Sequence, residues 1–204
     1  MKKKRRGPQS VPKHETRPRV YLDLKSGRLE VTQEQIDVLI QGVLNLCTLR
    51  SSPQDRDFPL RVMFQDLNKE LVLGELALMR VCAAVFVIKA FFRPTFQAEI
   101  QSALDRLLPA ALADCGDERI KGQPEKAMEE FNRRLPLYLE ALPLPNALGA
   151  AGNAGAVFAK LVGRESDKIV PMLAFTEFQG VFMATKRLLE EFDAKSGGKL
   201  LNPE

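Results

Sequence analysis

The stretch LVLGELALMRVCAAVFVIKAFF, Leu71 to Phe92, decides the fold. It is apolar nearly all round and carries three charges, Glu75, Arg80 and Lys89. Crossing a bilayer takes about twenty residues with few or no charges, and the longest apolar run here, Val81 to Ile88, is far shorter. A helix that is hydrophobic on every side is instead the buried centre of a helical domain. Glu75 and Arg80 lie five residues apart, so they point in different directions. Each needs a partner from another element, and a buried structural contact is expected rather than catalysis.

The flanking sequence supplies helices to wrap that centre. Thr32 and Gln35 have the spacing of a capping box, and Ile36, Leu39, Ile40, Val43 and Cys47 follow at helical intervals to about Arg50. SSPQDRD reads as a loop, and Leu60, Met63, Phe64 and Leu67 form a second stripe. Downstream, Pro94 ends the central helix and Thr95 is placed to cap the next, with Phe96, Ile100, Leu104 and Leu107 on one face. Pro109 and Gly116 punctuate a short continuation. Pro124 suits a helix start, Ala127, Met128 and Phe131 are periodic, and Pro136 reads as an interruption before a further turn through Tyr138 to Leu142. In the last helix Phe175, Phe178, Phe182, Leu189 and Phe192 recur at intervals of three, four and seven, with Thr185 at the one polar position. Lys186–Glu190 and Arg187–Glu191 flank that stripe, and Ser196-Gly197-Gly198 stops the helix.

Ahead of these helices, RVYLDLKSGRLEVT reads as a hairpin. A turn at Ser26-Gly27 would pair Leu24 with Leu29 and Leu22 with Val31, at the expense of setting Asp23 opposite Glu30. The whole is an all-α fold, an orthogonal or bundle-like domain of about seven helices over 19–198. It carries a small N-terminal β-hairpin, a disordered basic arm over 1–18 and a tail over 199–204.

GAAGNAG, Gly149 to Gly155, invites comparison with a phosphate loop. The preceding LPLPN cannot form a central strand and AVF follows where Lys-Ser/Thr is required, so nucleotide binding is not expected. Read at intervals of four, Ala151, Gly155, Ala159 and Gly163 line one side of a helix with almost no bulk, a strip for close helix packing. A partly unwound linker is the alternative.

Charge is segregated along the chain. Residues 1–20 hold Lys2, Lys3, Lys4, Arg5, Arg6, Lys13, Arg17 and Arg19 against Glu15, a local charge of +7. The remaining 184 residues hold 22 basic and 25 acidic groups, a net of −3. Such an arm attracts nucleic-acid phosphates without sequence specificity, and anionic membranes or an import receptor by the same charge; a solubilising tail without a partner is the bland reading. Cys47, Cys82 and Cys115 are spaced neither as a disulfide framework nor as a zinc motif, and free thiols in a reducing, cytoplasmic compartment are expected, or a nuclear one if the source is eukaryotic. The one histidine, His14, lies in the arm, so no core Ser-His or Cys-His dyad and no histidine metal site can form. No cofactor and no metal are expected. The function expected is a non-enzymatic helical interaction module whose arm makes auxiliary contacts with nucleic acid. Self-association or capture of a partner helix by the Phe175–Phe192 stripe is one alternative. An enzyme with a carboxylate–arginine site not evident in the sequence is the other.

Overall fold

The computed structural model describes residues 19–24, 27–48, 68–114, 120–141, 147–198 and 200–202. It is mostly helical. A hairpin of β1 (Arg19–Leu24) and β2 (Gly27–Thr32) leads into α1 (Gln33–Thr48). Then come α2 (Lys69–Phe91), a 3-10 turn at Pro94–Phe96, α3 (Gln97–Ala113), α4 (Pro124–Glu140), α5 (Ala147–Leu161) and α6 (Ile169–Lys195). The described residues thus hold six α-helices where about seven were expected, and the stripe at Leu60, Met63, Phe64 and Leu67 lies outside them, as do residues 1–18.

Helix α2 is the axis of the fold. It touches all five other helices, and Val72, Leu78, Met79, Val81, Cys82, Ala83, Ala84, Val87 and Ile88 are each almost entirely buried. By length and composition Leu71–Phe91 could cross a membrane, but here most of its surface is covered by the chain itself. Its apolarity on all sides is what a helix surrounded by other helices requires. Around it α5 and α6 make the most extensive pairing, α1 packs on α3, and α6 and α4 flank α2. At the start of α1 the capping box forms as read: Gln35 N–H donates to Thr32 Oγ1 at 3.2 Å and Thr32 N–H to Gln35 Oε1 at 2.9 Å.

Several boundaries differ from the sequence expectation. The hairpin register pairs Leu24 with Gly27, Leu22 with Leu29 and Val20 with Val31, two residues away from the expected one. That shift sets Asp23 opposite Arg28 and removes the apposition of Asp23 and Glu30. Thr95 does not cap α3; it lies within the 3-10 turn, and the N-cap position falls on Phe96 without a side-chain bond. Pro109 and Pro136 interrupt neither α3 nor α4. Each proline removes a hydrogen bond to the carbonyl four residues back, on Asp105 and Asn132, and both of those residues are solvent-exposed. Water can take the freed acceptor while the opposite face stays packed through Leu108 and Leu112 in one helix and Arg134 and Tyr138 in the other.

Within the tail expected over 199–204, the described residues are 200–202. Leu200 and Leu201 are buried, and Leu201 forms an isolated antiparallel bridge with Phe92. This segment completes the capping of α2. The Lys89 carbonyl accepts from Gln97 Nε2, the Ala90 carbonyl from Asn202 Nδ2, the Phe91 carbonyl from Asn202 N–H at 2.7 Å, and the Phe92 carbonyl from both side chains. The last carbonyls of this helix are thereby satisfied by Gln97 close by and by Asn202, about 110 residues further along the chain.

Candidate functional site

The polar cluster with the best-defined geometry lies inside the apolar centre. Glu75 is fully buried on α2. Its Oε2 accepts from Arg134 Nε at 2.9 Å and its Oε1 from the Tyr138 hydroxyl at 2.9 Å. Arg134 and Tyr138 stand four residues apart on α4, on one helical face, so a single helix delivers both donors to a single carboxylate. Arg134 reaches further to Glu130 Oε2 at 3.8 Å, and Glu130 also binds Arg133 at 2.6 Å. Tyr138 is completely buried. Burial, then the charge and hydrogen bond of Glu75, hold its hydroxyl well above the ordinary tyrosine range.

Two thiols, Cys47 on α1 and Cys82 on α2, are buried in the same core. Burial, opposed by Arg80, pushes Cys47 up to about 12, and its Sγ lies 3.7 Å from the Arg80 carbonyl. Burial and then the charge of Glu75 raise Cys82 well above the usual thiol range. A thiol that stays protonated is a poor nucleophile and a poor metal ligand, so both behave as small core residues. Cys115 lies outside the described residues. Among the described residues no group of three or more His, Cys, Asp and Glu side chains could hold a metal ion. Arg80, the other charge of the central helix, leaves the core and pairs with Glu177 of α6, donating from Nε at 3.1 Å.

The residues singled out in the sequence are placed as follows. Lys2, Lys3, Lys4, Arg5, Arg6, Lys13 and Arg17 lie outside the described residues, and Arg19 is the first residue of β1. Gly155 lies where α5 meets α6: a Cβ there would come within 3.0 Å of the Pro171 carbonyl carbon and closer still to its oxygen. Ala159 is buried on the same helix. Gly163, expected on the same strip, is not in the helix. Its φ of 73° places it just beyond α5, where its N–H bonds the Lys160 carbonyl and the Arg164 N–H bonds the Ala159 carbonyl at 2.7 Å. This is a Schellman cap, which asks for a left-handed residue, hence glycine.

On α6 the phenylalanine stripe faces the chain's own core. Phe178 and Leu189 are buried, as is Thr185 between them, while Phe175, Phe182 and Phe192 pack at the edge of the core. Phe182 meets Phe91 edge-on at 6.1 Å and Phe86 at 6.5 Å, and Lys186 Nζ sits 5.3 Å above the Phe91 ring. The apolar side chains that α6 exposes lie elsewhere, at Ile169, Met172 and Met183.

Sequence reasoning singled out Glu75 but missed its partners. Reading Pro136 as a break put Arg134 and Tyr138 in separate segments, although their spacing was the available signal. Comparison with models of protein families, with curated proteins and with solved structures finds no match to this chain.

Proposed function

We propose that this protein is a non-enzymatic helical interaction module whose basic N-terminal arm makes sequence-independent contacts with nucleic acid. The observation that carries this reading is the separation of charge: +7 within the first twenty residues against −3 for the rest. A mildly acidic body repels a polyanion, so attraction has to come from the arm, through release of the counterions it displaces. The chemistry of the body supports the same reading. The carboxylate–arginine pair that an enzyme would turn toward a substrate, Glu75 with Arg134, is closed on itself and on Tyr138 inside the core.

Fluorescence anisotropy with labelled duplex and single-stranded DNA, between about 50 and 300 mM salt, tests it. The comparison is the full-length protein against a full-length variant with Lys2, Lys3, Lys4, Arg5 and Arg6 replaced by Gln. Each phosphate contact contributes about 0.9 to the slope of log K on log salt for duplex DNA, so losing five cations flattens that slope by up to about 4.5. Equal and salt-insensitive binding by the two proteins rejects the role of the arm.

A second reading is self-association or capture of a partner protein. It moves from the phenylalanine stripe to the exposed side of α6, where Met172 and Met183 stand well out of the surface. Light scattering at rising protein concentration tests the homo-oligomeric form, and a constant monomer mass rejects it.

A further inference from the structure

The segment Leu200–Asn202 is held the way a bound peptide is held. Its backbone donates from Asn202 to the Phe91 carbonyl, and the Leu200 carbonyl accepts from Arg93 N–H at 3.0 Å. Arg93 also donates Nε to the Leu201 carbonyl at 2.7 Å, and Leu200 N–H donates to Asp193 Oδ1 at 2.6 Å. Asn202 caps the end of α2 with its amide, bonding the Ala90 carbonyl at 3.1 Å and the Phe92 carbonyl at 3.3 Å. Leu200 and Leu201 fill the apolar surface beneath. Main-chain pairing for affinity, with pockets and an amide reader for specificity, is the arrangement by which folded domains take up extended peptides.

The connection to α6 is built to turn. Gly197 and Gly198 both have positive φ, at 89° and 73°, and their N–H groups close the Schellman cap of α6 on the Ala194 and Asp193 carbonyls. Apart from Asp193, every polar group that grips the segment belongs to the 90–93 region, about 110 residues away in sequence. The grip therefore does not depend on the segment arriving from its own chain.

We propose that the C-terminal end of α2, with Arg93, is a docking site for an extended Leu-Leu-Asn segment. The molecule's own Leu200–Asn202 fills it in cis, and when that segment swings out on the glycine hinge, the matching segment of a second copy takes its place. The tethered segment competes at an effective concentration in the millimolar range, as short flexible links do. A free segment gains access at similar concentrations, or far more readily once the cis contact is weakened.

The test is fluorescence anisotropy of a labelled peptide with the sequence GKLLNPE, residues 198–204, titrated with full-length protein. The wild-type chain is expected to half-saturate at about millimolar concentration. The full-length double variant Leu200→Ser, Asn202→Ala is expected to bind the peptide at least tenfold more tightly, and adding Arg93→Ala is expected to reverse that gain. A folded double variant that binds the peptide no better than wild type overturns the proposal. Hydrogen exchange on the wild-type chain decides independently of the variants' folding. The amides of Arg93, Leu200 and Asn202 should exchange together, and faster than that of Leu78 in the middle of α2. Exchange of all four at one common rate, set by global unfolding, overturns the hinged segment.

Discussion

Glu75 stands in the middle of the most apolar helix of the chain, and each of its carboxylate oxygens has one donor from α4. Such a pair adds little over a well-packed apolar replacement, because desolvation offsets most of the attraction, but it punishes the loss of one member. Arg134→Met leaves the carboxylate with Tyr138 alone and is expected to destabilise by about 3–5 kcal/mol. Tyr138→Phe removes one bond to a charged group and should cost about 1.5–3 kcal/mol. The double variant Glu75→Met, Arg134→Met should be less destabilised than Arg134→Met. Urea denaturation of the wild type, Glu75→Met, Arg134→Met and the double variant gives the coupling directly, and simple additivity would mean that the pair is not a unit. Thr185 presents the opposite case. It is fully buried on α6, and its hydroxyl has no partner among the described residues. Thr185→Val removes a buried polar group that gains nothing in return, so stability is expected to rise by about 1 kcal/mol. A loss of that size in the same denaturation experiment would show that the hydroxyl is bonded.

Between α5 and α6 the decisive contact is made by an absent side chain. Gly155 lets α5 settle against the Pro171 carbonyl in the first turn of α6, where the missing proline N–H leaves no helical bond unmade. Gly155→Ala forces a Cβ into backbone that cannot rotate away, and is expected to destabilise by about 3 kcal/mol as the helices move apart. Gly180, in the middle of α6, has open space where its Cβ would lie. Gly180→Ala should therefore stabilise by about 0.5–1 kcal/mol through helix propensity alone. Thermal melts of the two variants are expected to shift in opposite directions, and shifts of the same sign would remove the packing argument. The elements themselves were legible where one face repeats: Ile36, Leu39, Ile40, Val43 and Cys47 are all buried as their spacing implied. What misled was punctuation. Proline and glycine weigh on a single hydrogen bond or a single φ, so Pro109, Pro136 and Gly163 can be read correctly only when it is known which side of the helix faces water. The docking of Leu200–Asn202 was illegible for a different reason, because its partners are distant in sequence and mostly backbone atoms, which leave no trace in residue types.

At the scale of the whole molecule, the wrapping of α2 by five helices makes one dry interior in which three weak acids are kept protonated. Burial is the leading cause at Cys47, which is raised to about 12, at Cys82, and at Tyr138. In the unfolded chain cysteine ionises near 8.5 and tyrosine near 10. Above those values the unfolded state releases protons that the folded state retains, so the unfolded state binds fewer protons and stability falls as pH rises. The contribution is complete below about pH 8 and disappears as pH climbs toward the raised values in the fold. Each group adds a slope of up to about 1.4 kcal/mol per pH unit. The two thiols therefore act first, with up to about 2.7 kcal/mol per unit between pH 9 and 10, and Tyr138 joins them above pH 10. Urea midpoints measured from pH 7 to 11 are expected to trace this descent. In the variant Cys47→Ala, Cys82→Ala the fall between pH 8.5 and 10 should flatten, and the part due to Tyr138 should persist above pH 10. Each truncation leaves a small cavity, so the slopes carry the test and the absolute stabilities do not. A wild-type stability that stays level from pH 8 to 10 would mean that water reaches the thiols and that the interior around α2 opens far more readily than its packing implies.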